Sequence, residues 1–255
     1  MALTDAELAR YHADGYLVMS QLVIPERMQR LSAEVDGLHE QMQQHEPDGV
    51  GVAWEQFPDQ RPPRIRQLMN SERVCPMVDA ISRDDALLSV LAQVIGPDVL
   101  LFHSKLMMKA AHDGSFTPWH QDWGYWRQHC EAPSQVNCML AIDAATEANG
   151  CIRFVPGSHK QGPLDHSSFD SSSFNIGLPG DLDAYDAVPV ALQPGDAVIF
   201  GPLVIHGSAP NTSPSHRRAN TFAFDRVSNR NPDLPPDRLR LGQYGAPAAV
   251  YASIV

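Results

Sequence analysis

The hydrophobic residues of this chain change period near residue 98, from helical three-and-four spacing to short extended runs. Before the break, Met28, Leu31, Val35, Leu38 and Met42 recur at helical steps after Pro25, the pattern of a helix that buries one face. Thr4-Asp5-Ala6-Glu7 has the spacing of a capping box, so a shorter helix starts there and ends by Gly15. Residues 72–97 repeat the helical period through Val74, Met77, Val78, Ile81, Leu87, Leu88, Val90, Leu91 and Ile95, and Gly96-Pro97 stops them. Residues 44–66, rich in Pro, Gly, Gln and charge but carrying Trp54 and Phe57, read as an anchored loop able to cover a site.

After the break come β-branched and apolar runs at 98–110, 116–123, 135–145, 151–155, 188–193, 196–205 and 217–227. Turns separate them at Asn149-Gly150, Pro156-Gly157 and Pro194-Gly195-Asp196, and residues 161–187 read as an insertion between strands. Helices followed by strands, with no βαβ alternation, predict an α+β, mainly β chain with a closed or two-layered jelly roll. We expect one domain over 1–255: helical support and loop at 1–97, a β core at 98–230 and a C-terminal tail at 231–255.

Charge narrows the partners. Lys plus Arg number 19 against 30 Asp plus Glu, a formal net charge of −11 that repels phosphate backbones and anionic lipid heads. Nucleic acid and membranes are therefore not expected as partners; a small-molecule substrate is, with the chain a monomer or homodimer. The first residues show no basic start with an apolar stretch behind it, and the 4 cysteines form no C-x-x-C pair, so a reducing cytoplasm is expected.

Two H-x-D patterns occur, at His12-Ala13-Asp14 and His120-Gln121-Asp122, and roughly one is expected by chance at ordinary Asp frequency. Residues i and i+2 point to nearly opposite sides of a helix but share a face of a strand. His12 and Asp14 fall at the end of the first predicted helix and are set aside. His120 and Asp122 fall in the aromatic-rich extended run Thr117-Pro-Trp-His-Gln-Asp-Trp, where both can face a metal. A third ligand is needed for the two-His, one-carboxylate face that holds non-haem iron(II). His206 ends an apolar run from Ala197, as a core histidine satisfied by hydrogen bonds or as that ligand. Arg217, after the turn Pro210-Asn-Thr-Ser-Pro-Ser, favours the ligand reading, because the turn would return it antiparallel to the His206 run and into one cavity. Its guanidinium fits a carboxylate, such as the distal one of 2-oxoglutarate, and Ser208 on the face of His206 can donate to the same group. Ala219, Thr221 and Ala223 share the Arg217 face and leave room for a ligand.

Together these residues resemble the phytanoyl-CoA dioxygenase family, over most of the chain. The pieces are Tyr11-His-Ala-Asp-Gly-Tyr-Leu, Lys109, His120-Gln-Asp-Trp, Asn149-Gly-Cys through Pro156-Gly-Ser-His159, Pro194-Gly-Asp196, His206-Gly-Ser208 and Arg217. The resemblance implies a double-stranded β-helix (cupin-like jelly roll) with helices packed on it, and an enzyme using iron(II), 2-oxoglutarate and O2. It implies that His120, Asp122 and His206 bind iron, that Arg217 and Ser208 hold the 2-oxoglutarate tail, and that Arg64 adds a basic group near the cosubstrate. Lys105 and Met139 fall where the family places cavity side chains near 2-oxoglutarate, although neither is the residue expected there. Asp122 disfavours halogenation, since related halogenases replace this carboxylate with a small residue.

The expected reaction is hydroxylation of an unactivated C–H bond in a small lipid or secondary metabolite, yielding succinate and CO2. Trp119, Trp123, Tyr125 and Trp126 flank the triad as an aromatic wall for substrate or as core. Nothing resembles a site for coenzyme A phosphates. The rival readings are a zinc-type hydrolase or isomerase on a cupin-like barrel, which Arg217 argues against, and a non-catalytic metal-binding roll.

Overall fold

The computed structural model describes residues 2–229 except 56, 58, 60, 61, 98, 167–176, 182 and 227. The expected tail at 231–255 and part of the expected insertion lie outside the described residues. Helix α1, Asp5–Asp14, is closed at both ends as its sequence requires. The Thr4 hydroxyl accepts from the Glu7 amide, the Glu7 carboxylate accepts from the Thr4 amide, and Gly15 ends the helix at φ 87°. Strand β1, Tyr16–Met19, leads to α2, Pro25–Gln44, whose Met28, Leu31, Val35, Leu38 and Met42 are all buried.

The 44–66 segment holds more than a loop. Strands β2, Gly51–Glu55, and β3, Arg64–Met69, form an antiparallel hairpin that adds to a sheet edge. A 3-10 turn, Ser71–Arg73, precedes α3, Pro76–Ser82, and α4, Asp85–Ile95, whose cap is the Asp84 side chain accepting from the Ala86 amide at 2.9 Å. The β region follows as β4, Val99–Lys109; β5, Thr117–His120; the single turn α5, Trp123–Trp126; β6, Val136–Ala141; β7, Ile152–Phe154; β8, Val188–Pro189; β9, Ala197–Phe200; β10, His206–Ser208; and β11, Arg217–Arg226.

These strands make two facing antiparallel sheets, one ordered β1-β9-β6-β11-β4-β3-β2 and the other β5-β10-β7-β8. This is the expected jelly roll. The helices cover the outer face of the larger sheet, where Leu31, Leu38, Val78, Ile81 and Leu91 join Leu106, Leu140, Phe222 and Phe224 in one core. A second core of Met139, Ala141, Phe154, Val198, Phe200 and Ala219 lies between the sheets. Arg218, on the outer side of β11, ties α2 to the sheet: its Nε donates to Asp143 Oδ2 at 2.8 Å and its Nη2 to Ser32 Oγ at 2.9 Å.

Two expected strands are shorter than the sequence pattern. The 116–123 run ends at His120, and the 196–205 run ends at Phe200, after which residues 201–205 carry the chain from the larger sheet to the smaller. Apolar residues continue through that crossing, so hydrophobicity alone shows no break. All four cysteines are free and buried, and among the described residues no helix is long and apolar enough to cross a membrane.

Candidate active site

The smaller sheet places the two histidines. β5 and β10 pair antiparallel with His206 directly opposite His120, and the imidazole centroids are 4.1 Å apart. Gly207 permits the approach: a Cβ there would come within 3.0 Å of the Thr117 carbonyl oxygen and of the Trp119 ring. Asp122 arrives by a different route from the one its spacing predicts. It sits in αR geometry at φ −60°, at the start of α5, so a helical turn just past the strand aims its carboxylate. Oδ1 lies 3.6 Å from His120 Nε2, and Oδ2 lies 3.6 Å from His206 Nε2.

Backbone carbonyls set the tautomers. Nδ1 of His120 is 2.8 Å from the Pro118 oxygen and Nδ1 of His206 is 3.0 Å from the Val204 oxygen. A carbonyl only accepts, so each Nδ1 carries the proton and each Nε2 turns a lone pair toward Asp122. Burial, with the charge of His120 next, pushes the His206 pKa down to about 4, which keeps that imidazole neutral. Burial opposes the Asp122 charge, but His206, His120 and Lys105 outweigh it and hold the carboxyl well below the usual carboxylate range. Two imidazoles and one carboxylate, with donor atoms within 4.8 Å of one another, form the donor set that suits iron(II).

Two neighbours that sequence spacing did not single out for these roles steady the triad. Asn137 on β6 donates from Nδ2 to Asp122 Oδ2 at 2.7 Å, fixing the carboxylate. Gln121, the middle residue of the motif, donates to the carbonyls of Gly162 and Leu203 at 3.0 and 2.8 Å and accepts from the Leu164 amide at 2.8 Å. Neither was legible locally, because each partner is remote in sequence.

The larger sheet supplies the opposite wall. Pairing of β4, β11 and β6 puts Lys109 beside Arg217, Met107 beside Ala219 and Ala141, and Lys105 beside Thr221 and Met139. Triad, Ser208, Arg217, Lys105 and Met139 all line one cavity of about 70 Å³. Arg217 is buried; its Nη2 donates to the Gly150 carbonyl at 2.9 Å, while its Nε has no hydrogen-bond partner. Lys109 beside it donates to the Ser115 and Ala209 carbonyls at 2.5 and 2.6 Å. Burial first, then the charges of Arg217 and Arg66, push the Lys109 pKa down to about 6. A buried guanidinium that lines the cavity and keeps an idle donor fits an incoming carboxylate. It faces the histidines from across the roll, since β11 lies in the opposite sheet and does not pair with β10 as the turn had suggested.

The sequence matches the model of the family described as phytanoyl-CoA dioxygenase over residues 11–219. The chain belongs to the phytanoyl-CoA dioxygenase family. It is 26% identical over 255 residues to an L-proline trans-4-hydroxylase of Streptomyces griseoviridis, covering 92% of this chain and 91% of the relative. It is 25% identical to an ectoine dioxygenase of Nocardia farcinica, covering 88% of this chain and 78% of the relative. The structure of EctD from S. alaskensis with 2-oxoglutarate and 5-hydroxyectoine superposes with TM-score 0.77 at 20% identity, over 98% of this chain and 87% of that one, and shows the same fold. This phytanoyl-CoA dioxygenase family member is an iron(II) dioxygenase that uses 2-oxoglutarate and O2.

The remaining expected site residues lie elsewhere in this dioxygenase. Arg64 is exposed at the start of β3 and lines a cavity of about 690 Å³ on the outer face, with Val35, His39, Met108 and Arg218. That cavity is the larger of the two, but among the described residues no candidate metal cluster lines it, so size does not mark the chemistry. Arg66, two residues on, is the β3 arginine whose charge acts on Lys109. The four aromatics do not line the triad cavity. Trp119 is buried with Leu178 and Ile205 and donates to the Asp181 carbonyl at 2.7 Å; Trp126 packs on Phe102 and His103. Trp123 and Tyr125 pack against the main core, and the Tyr125 ring meets the edge of His120 with centroids 5.8 Å apart.

Proposed function

We propose that this single-domain enzyme hydroxylates an unactivated C–H bond of a small metabolite, with iron(II) held by His120, Asp122 and His206. The observation that carries this is the pairing, in one buried cavity, of a three-ligand cluster with Arg217 and its idle Nε. Bound iron, 2-oxoglutarate and O2 supply C–H oxidation, with 2-oxoglutarate converted to succinate and CO2. The chain does the positioning. Arg217 and Ser208 take the distal carboxylate, Met139 and Thr221 border the chain between its ends, and Asn137 holds Asp122 in place. The apolar core between the sheets keeps water from the reacting atoms.

Relatives named for L-proline, ectoine and methylphosphonate support a small polar substrate over a lipid. Four free, buried cysteines support a reducing cytoplasmic setting. The hydrolase and non-catalytic readings give no use for Arg217.

His206→Ala tests the assignment. The variant is expected to lose iron on desalting, with metal content well below the wild-type stoichiometry, and to release no succinate. Full iron retention would refute the ligand set.

A further inference from the structure

The geometry points to Lys105 as the residue that receives an acidic group of the substrate, so that the molecule oxidised here is a small carboxylate, amino acids included. This rests on the oxygenase reading above and adds the substrate class. Lys105 lies on the inner side of β4, flanked in register by Thr221 of β11 and Met69 of β3, and lines the triad cavity with Met107 and Met139. It is half-buried and makes no hydrogen bond or ion pair with a described residue. An ammonium among methionines loses hydration, and an anion arriving in the cavity offsets that loss.

The cosubstrate does not supply that anion. Lys109, the β4 partner of Arg217, is four residues along the strand from Lys105, roughly 13 Å at the usual rise per residue. By that reading Arg217 would take one 2-oxoglutarate carboxylate at that end, and the iron on His120, Asp122 and His206 would hold the cosubstrate's other end. Iron(II), Arg217 and Lys105 together bring four positive charges, whereas Asp122 and 2-oxoglutarate bring three negative ones. One positive charge is unmatched in the loaded site. The Asp122 carboxylate, which lines the same cavity, is committed to the metal and to Asn137. Lys105 lines the same cavity as His120, Asp122 and His206, so its ammonium stands at the wall of the metal site. An acid bound on Lys105 is therefore held beside the metal, where its C–H bonds are oxidised. Resemblance put Lys105 in the surroundings of 2-oxoglutarate; the charge count moves it to the substrate.

The test uses the full chain loaded with manganese(II), an inert stand-in for iron, and compares wild type, Lys105→Met and Lys105→Arg. Calorimetry reads 2-oxoglutarate affinity; thermal shift with 2-oxoglutarate present then screens small carboxylic and amino acids, each beside its primary amide. The expected result is that wild type responds to acids and not to their amides. Lys105→Met should bind those acids about ten- to a hundredfold more weakly, as for loss of one charge-assisted contact, with 2-oxoglutarate affinity unchanged. Lys105→Arg should keep the acids, which separates loss of charge from misfolding. Three results overturn the proposal: no acid among the compounds that shift wild type, equal response of Lys105→Met and wild type, or weakening of 2-oxoglutarate in Lys105→Met by the same factor as the acids. The last assigns Lys105 to the cosubstrate. Wild type that binds no 2-oxoglutarate at all removes the oxygenase reading itself, a result read before any acid is added.

Discussion

Replacing Arg217 with methionine separates two energies that the wild type couples. Burial, the main cause, pushes the Arg217 pKa down from 12.5 to about 10, so the folded chain bears a cost for keeping this cation. A displacement of that size is worth about 3 kcal/mol, since each factor of ten is about 1.4 kcal/mol. The hydrogen bond to the Gly150 carbonyl returns about 1 kcal/mol. Methionine fills a similar stem without the charge, so Arg217→Met should stabilise the ligand-free protein by about 1–2 kcal/mol, a rise in Tm of roughly 2–8 °C for a domain of this size. The same change should weaken 2-oxoglutarate by about 1.5–3 kcal/mol, or roughly 10- to 150-fold. Thermal melts without ligand, and calorimetry of 2-oxoglutarate on the manganese-loaded protein, read the two effects independently. A variant that melts below wild type and binds 2-oxoglutarate unchanged would refute the reasoning on both counts, and would make Arg217 a structural residue.

Asn137→Ala should lower metal affinity about 10- to 100-fold by freeing the Asp122 carboxylate to rotate, with 2-oxoglutarate affinity at saturating metal unaltered. Metal titration with a competing chelator checks it, and wild-type affinity would show that Asp122 needs no such partner. Glu72, buried under β4 against Ser104, has its carboxyl pushed up to about 7, chiefly by burial, from 4.5 when unfolded. The folded state therefore takes its proton first, so this group's stabilising effect is full below pH 4.5 and is lost as pH rises through about 7. Urea melts should show Glu72→Gln flattening that slope and gaining about 2–3 kcal/mol over wild type at pH 8; a slope unaltered by the substitution would assign it to other groups.

What the sequence made legible was whatever depends on neighbours in the chain. The capping box at Thr4, the stop at Gly15 and all five buried positions of α2 follow from local spacing, and all appear as expected. The alternation along the first part of β11 was legible for the same reason: Arg217, Ala219 and Thr221 face inward while Arg218, Asn220 and Phe222 face the helices. Ala223, expected on the ligand face, instead packs in the main core with Phe222 and Phe224, beside the register shift between Ala223 and Phe224. The β2–β3 hairpin was hidden because an edge pair half-open to solvent carries charged residues and little apolar alternation. The H-x-D motif carried residues that the fold brings together, but with a different geometry from the expected one, since its strand stops at His120 and a helical turn presents Asp122.

The site itself is assembled between two sheets, and that explains the division. Strand ends, sheet switches and register are set by pairing between segments about a hundred residues apart, so a single-residue offset moves a side chain to the other face. Arg64 shows the consequence: it lines the outer cavity, while the charge of Arg66 acts on Lys109. Asn137 shows the converse, a residue with no motif around it that register places beside Asp122. Ligand types survive as a local pattern because metal and carboxylate chemistry restricts which side chains serve. Which arginine, lysine or asparagine completes the site is decided by long-range pairing, and those three residue types are where the structure changed or extended the reading.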